Sequence, residues 1–134
     1  MRRDDGSITA LVAVVTIALI LVAGLVLDGG RVLAARRRAQ DLAANAARAG
    51  AQAIDEDRLR RGHTVLDPEK SRSAVRRYLS AAAASGTAQV SPDIVSVTVS
   101  VPVRMLLLSI AGVVDTTVTS TQRARAVQGV TTGE

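Results

Sequence analysis

The chain has 134 residues, enough for one small domain, and it contains no cysteine, which excludes disulfide bonds, thiolate nucleophiles and most structural zinc sites. Its net charge of +5 comes almost entirely from arginine and is concentrated between residues 28 and 92. Tyr78 is the only aromatic residue, so a core must be built from Ala, Val, Leu and Ile, which bury less area per side chain.

After a short charged tail, residues 1–7, the chain enters an uncharged apolar run of twenty residues, ITALVAVVTIALILVAGLVL, residues 8–27. As an α-helix this run is about 30 Å long, the hydrocarbon thickness of a bilayer. Its thirteen Leu, Ile and Val residues contribute roughly −4 to −8 kcal/mol to membrane insertion. A cleaved secretory signal has a shorter apolar run, typically about 7 to 15 residues, so we predict a retained transmembrane helix.

An alanine- and arginine-rich stretch, residues 28–62, continues this helix. Its apolar residues recur at alternating spacings of three and four, which predicts a helix whose narrow alanine seam packs against helices of similar subunits. Gly29 and Gly30 together cost about 2 kcal/mol relative to alanine, which makes the membrane exit the point where a kink or break is expected. The seam consists of Val32, Ala35, Ala39, Leu42, Ala46, Ala49 and Ala53.

Basic residues lie on both sides of the apolar run, and counting them near its two ends favours a cytoplasmic position for the downstream side. The downstream arginines are Arg31, Arg36, Arg37 and Arg38. Three interpretations stay open for them. A solvated helix face, partly self-paired as between Arg37 and Asp41, is favoured over contacts with anionic lipid head groups. Nucleic acid is the least favoured partner, because no stacking aromatics accompany the basic residues.

A small α+β head is predicted over residues 63–128. Asp67 and Pro68 form an N-cap and first helical position, which predicts a second helix over residues 68–85. Period-two alternation of Val with Ser and Thr then predicts a strand near residues 94–103, and β-branched residues predict another near 113–127. The two strands are expected to pair antiparallel under the helices, and residues 129–134 to form a flexible tail.

Between the two strands lies the apolar segment MLLLSIAG, residues 105–112, which is too short to cross a bilayer. Core filling between the strands is the favoured interpretation. The alternative is an exposed apolar knob that touches a partner or the membrane.

No motif in the sequence indicates an enzyme, a cofactor or a metal site. His63 is the only histidine, and the consecutive Asp55, Glu56 and Asp57 point in different directions on a helix. Gly29 and Gly30 lack the strand and the glycine spacing of a phosphate-binding loop. We therefore predict a non-enzymatic protein without cofactor or metal.

The layout resembles the short, membrane-anchored TadE- and TadG-like proteins of tight-adherence (Flp) pilus systems. The similarity rests on RRDDGSITALVAVV, on Asp28, Gly30 and Arg31 at the membrane exit, on ARRRAQDLAANAARAGAQAI, and on valine-threonine strands around an apolar cluster. It implies a pilin-like α+β fold and a minor pilin-like or assembly component. Such a protein would be single-pass with an extracytoplasmic head, in the cell membrane or in a surface pilus. It would contact lipid, other pilin-like subunits and the assembly platform, as a homo- or hetero-oligomer.

Two positions depart from the family pattern. Ala44 or Asn45 stands where the alanine segment usually carries Asp. Prepilin-like relatives are cut after a glycine and carry Glu five residues into the new chain, whereas cleavage between Gly6 and Ser7 would place Leu11 there. Gly6 and Ser7 are thus the candidate cleavage site, and Leu11 argues against its use. The alternative function is a membrane-tethered binding module whose Arg-rich helix contacts nucleic acid or anionic lipid.

Overall fold

The computed structural model describes residues 5–107, 109, 112 and 115–127. Three helices are followed by three strands, and the long N-terminal helix with a small antiparallel sheet confirms the predicted α+β class. The elements are α1 (Asp5–Ala51), α2 (Glu56–Arg60), α3 (Pro68–Ala81), β1 (Ser85–Val90), β2 (Ile94–Val103) and β3 (Thr116–Arg125).

Helix α1 has 47 residues, so it is about 70 Å long. It passes through Gly29 and Gly30 without interruption, and the expected break at the membrane exit is absent from the structure. Each glycine lowers helix stability by about 1 kcal/mol, but extending an existing helix adds a hydrogen bond per residue. Leu27 and Arg31, both good helix formers, lie on either side of Asp28, Gly29 and Gly30. Both glycines face open space, so tertiary contacts do not force their choice.

Helix α1 ends at Ala51, eleven residues before the end predicted for the alanine-rich helix. Ile54 instead forms an isolated bridge with Leu66, and the N–H of Asp55 donates to the carbonyl of Val65 at 2.8 Å. The Asp55 side chain then caps α2 by accepting from the N–H of Arg58. A buried pairing and a new N-cap therefore override the helical propensity of this stretch.

The sheet has the order β1-β2-β3, with both neighbouring pairs antiparallel. Strand β1 occupies residues that the sequence leaves to the end of the second helix and a connector. Helix α3 ends at Ala81, and Ala83 with a φ of 48° turns the chain into β1. Gly86 is required there, since a Cβ at this position would lie 2.5 Å from the carbonyl oxygen of Thr98.

One face of the sheet carries the core. The C-terminal part of α1 contacts β2, β3 and α3, and α3 also contacts β1. Ser71 is fully buried, and its hydroxyl donates to the carbonyl of Gly50 at 2.9 Å, which ties α3 to α1. The core consists of Ala43, Ala46, Ala47, Leu66, Val75, Leu79, Val95, Val97, Val99 and Ala126. On the opposite face, hydroxyl pairs such as Thr98 with Thr121 link β2 to β3.

Candidate functional site

The N-terminal part of α1 presents an apolar surface on nearly all sides. Every large aliphatic side chain from Ile8 to Leu27 is exposed, by 48% to 69%. An apolar surface of this extent is unfavourable in water, whereas a helix of this length and composition is suited to cross a bilayer. The hydroxyl of Thr16 donates to the carbonyl of Val12 at 2.8 Å, so this polar group is satisfied within the helix.

Between Ile8 and Arg31, only Gly24 and Asp28 are buried, and they lie one turn apart on the same helix face. The segment that follows β2 covers this face. Asp28 is 1% exposed, and its two carboxylate oxygens accept the backbone N–H groups of Leu106 and Leu107, each at 3.1 Å. Such charge-assisted hydrogen bonds are stronger than neutral ones. Asp28 thereby fixes the β2–β3 connection to the membrane exit of α1; we call this arrangement the Asp28 clamp.

Further contacts shape the clamped segment. A Cβ at Gly24 would lie 2.9 Å from the Cβ of Leu107, so the glycine lets the segment approach α1 closely. The N–H of Met105 donates to the carboxylate of Asp115 at 3.1 Å, and the Ser109 hydroxyl donates to the carbonyl of Leu106 at 2.7 Å. Met105 and Leu107 are half-buried and Leu106 is exposed. The remaining residues of MLLLSIAG, apart from Ser109 and Gly112, lie outside the described residues.

The alanine seam packs against the protein's own sheet. Ala39 and Ala46 are fully buried within the single chain, together with Ala43 and Ala47, which are outside the predicted seam. These positions are therefore covered in the single chain, and packing of the seam against neighbouring subunits stays a prediction. The seam residues Val32, Ala35, Leu42, Ala49 and Ala53 are half-buried. Close approach favours small residues on this side of α1: a Cβ at Gly50 would lie 2.8 Å from Val75 of α3 and 3.1 Å from Val95 of β2.

The four arginines beyond the apolar run, Arg31, Arg36, Arg37 and Arg38, are all exposed, and none forms an ion pair with a residue that the structure describes. The expected pair between Arg37 and Asp41 is not formed. Arg31 and Arg38 share a groove of about 350 Å³ with Arg104, which directly follows β2. Cationic groups thus concentrate near the membrane exit.

Four arginines further from the membrane exit form ion pairs. Arg58, Arg60 and Arg72 each pair with a carboxylate one helical turn away, and Arg125 pairs with Asp93 at 3.2 Å. The predicted head-group contacts of the membrane-proximal arginines stay a prediction, and the unpaired guanidinium groups are compatible with it.

Groups that could carry chemistry are not brought together in the described part of the chain. His63 is exposed, and no three His, Asp or Glu residues there are placed to hold a metal ion. Asp55 serves as the cap of α2, while Glu56 and Asp57 both face Arg60 on the surface. Gly6 and Ser7 lie in the first turn of α1, and their role as a cleavage site stays a prediction.

The Asp28 clamp was not foreseen from the sequence. Its two sides are 78 and 79 residues apart, and no local pattern connects them. The available signal was a single Asp directly after an uncharged span, at a position where a charge is costly unless it has hydrogen-bond partners. The other available signal was the apolar segment MLLLSIAG, which contains the residues that Asp28 binds.

Comparison with known proteins finds a family model that matches the N-terminal part of the chain. Residues 6–53 match the family model described as Tad, putative Flp pilus-assembly TadE/G-like. The match covers the apolar run, the membrane exit with Asp28, and the alanine seam, and it confirms the resemblance seen in the sequence. No curated protein and no solved structure matches the chain. The family match and the exposed apolar helix both support a role of α1 as a membrane anchor.

Proposed function

Because the N-terminal segment of the chain is TadE/G-like, we propose that the protein is a non-enzymatic, minor pilin-like or assembly component of a Tad (Flp) pilus or a related secretion machine. The observation that carries the proposal is the construction of α1. Its first part is apolar on nearly all sides, and its second part forms the spine of a small α+β head. A single rigid helix thus joins a membrane-embedded surface to a polar domain.

In this proposal the contacts between subunits use the exposed aliphatic surface of residues 8–27. Two residues of the alanine seam, Ala39 and Ala46, are already fully buried within the chain itself, which favours the apolar run over the seam. Lipid chains are as apolar as leucine, so helices in a membrane associate through close packing and not through the hydrophobic effect. Exchange of lipid for neighbouring apolar helices is therefore energetically small, which suits a component that moves between the membrane and an assembly.

The head is proposed to lie outside the cytoplasm, and a single-cysteine experiment tests this topology. The chain contains no cysteine, so Thr87→Cys on the exposed part of β1 provides one thiol. In intact cells a membrane-impermeant maleimide should label it. Labelling only after lysis would place the head in the cytoplasm. It would favour the alternative function, a membrane-tethered binding module whose Arg-rich helix contacts nucleic acid or anionic lipid.

Association with other subunits is tested by photocrosslinking in cells that produce the pilus system. A photoreactive amino acid at Leu19, which is 64% exposed, should crosslink to other pilin-like or platform proteins. The same group at Thr87 serves as the matched control on the head. If Leu19 crosslinks only to lipid while the head faces outward, the packing mechanism is wrong although the topology is right.

A further inference from the structure

We propose that the segment Met105–Leu107 is a second membrane-contacting element, which enters the bilayer beside the last turn of the transmembrane part of α1 and sets the height of the head. The proposal depends on α1 being a membrane anchor and not on the pilus role. Its partner is lipid hydrocarbon at the edge of the bilayer.

The level of the segment is set by its contacts with α1. Leu107 packs on Gly24, which lies three residues before Leu27, the last residue of the apolar run. At 1.5 Å per residue, Gly24 is about 4.5 Å inside the end of the run. The run is about as long as the hydrocarbon layer is thick, so a segment packed on Gly24 lies at the depth of the outer acyl carbons.

The hydrogen bonds of the segment suit this location. Irregular backbone is tolerated at membrane depth only where its polar groups are satisfied by protein or by water in a cavity. The N–H groups of Leu106 and Leu107 are bound by Asp28, and that of Met105 is bound by Asp115. The carbonyl of Leu106 accepts from the hydroxyl of Ser109. Two carboxylates thus take up the donors that water would otherwise bind.

The side chains of the segment point to lipid as the occupant. Leu106 is 56% exposed although its backbone N–H is fixed to Asp28, so the clamp holds an aliphatic side chain outward. Leu25 and Val26 are also exposed at this level of α1, and their surface is the one that faces lipid. Arg104 is exposed directly before the segment, where a guanidinium group reaches the head groups while its stem lies on apolar surface.

The test uses the full chain reconstituted in lipid vesicles that contain no other protein. Leu106→Cys is labelled with an environment-sensitive fluorophore, and the vesicles carry a spin-label quencher on the acyl chain near the head group. Leu25→Cys, in the transmembrane part, is the membrane-embedded reference, and Thr87→Cys on β1 is the aqueous reference. All three positions are exposed on the protein, so the label does not compete with the core.

We expect the label at Leu106 to lose fluorescence to the lipid quencher to an extent comparable with Leu25, and to show a similar blue shift. Iodide in the buffer should quench it less than the label at Thr87. A label at Leu106 that behaves like Thr87 with both quenchers would overturn the proposal. If, in addition, Leu106 crosslinks to another subunit in cells, the exposed leucine serves a protein partner instead of lipid.

Discussion

The two parts of α1 differ in the size and the exposure of their side chains. Residues 8–27 carry thirteen large aliphatic residues that point outward, whereas the buried positions of residues 39–50 are Ala39, Ala43, Ala46, Ala47 and Gly50. In the membrane, apolar area directed outward stabilises the helix. In the head, a sheet must approach the helix axis, and small residues allow that approach. The same helix therefore meets lipid with large side chains and protein with small ones.

A charge in the middle of the apolar part should have the largest effect. Leu19→Arg replaces a favourable contribution by an unfavourable one of roughly 2.5 to 3.5 kcal/mol, which removes much of the total insertion free energy. The membrane-bound fraction after alkaline extraction should fall. Ala34→Arg, at an exposed position above the membrane exit, is the control and should leave that fraction unchanged. Equal extraction of both variants would contradict the assignment of the span.

A larger side chain in the head-embedded part should act by overpacking. Ala46→Leu introduces three carbons where the alanine is fully buried, which we expect to lower the free energy of unfolding by roughly 1 to 3 kcal/mol. The matched control is Ala34→Leu in the same helix, where the alanine is exposed. Denaturant unfolding in detergent micelles measures both. If the two variants were equally stable, Ala46 would not face the sheet.

The Asp28 clamp joins the two parts, and its loss should have a local effect, on the segment that it holds and not on the core of the head. Asp28→Asn keeps one oxygen acceptor but removes the charge, and hydrogen bonds to charged groups contribute roughly 1.5 to 3 kcal/mol each. We expect the Leu106 and Leu107 amides to exchange with solvent deuterium at least about tenfold faster, equivalent to about 1.4 kcal/mol. Amides of β2, such as that of Val97, are the internal reference. Unchanged exchange at Leu106 would mean that another contact holds the segment.

The smallest predicted effect concerns pH and the start of α3. The backbone N–H of Lys70 donates to Asp67 and lowers the pKa of this carboxyl below its ordinary value of 3.8, with a further donor from Glu69 and the charge of Lys70. A lowered pKa in the folded state stabilises the protein above pH 3.8, and this stabilisation is lost as the pH falls through the folded pKa. Asp67→Asn should flatten this part of the pH–stability curve. A curve identical to that of the natural chain would show that the cap does not titrate there.

Much of the architecture could be predicted because it follows from local patterns. The apolar run, the Asp67–Pro68 helix start and the alternating valines of β2 each carry their own signal. Strand β1 was missed because its sequence, SGTAQV, has a single large aliphatic residue, and it is held in place by pairing with β2. The helix end at Ala51 depends likewise on the bridge between Ile54 and Leu66.

The functional features likewise divide into those that a local sequence pattern indicates and those that depend on contacts between distant residues. A stripe of alanines indicates that something approaches the helix closely, but it does not distinguish a partner helix from the chain's own sheet. In the structure Ala39 and Ala46 are fully buried within the single chain, in which α1 contacts β2, β3 and α3. The Asp28 clamp depends on a contact across 78 residues, so neither its donors nor its geometry is present in any local window.

The most direct test of the account is a single-cysteine scan along α1 in lipid vesicles, with an aqueous maleimide and a lipid-borne quencher as the two probes. Between residues 8 and 27 we predict protection from maleimide and quenching by lipid at every exposed position. Above the membrane exit, cysteines that replace the exposed Arg36 and Arg48 should react with maleimide, whereas cysteines that replace the buried Ala43 and Ala46 should not. Two results would contradict the account that one helix spans the bilayer and continues into the core of the head. One is labelling of cysteines at positions 43 and 46 as strong as at position 36, and the other is maleimide labelling throughout residues 8–27.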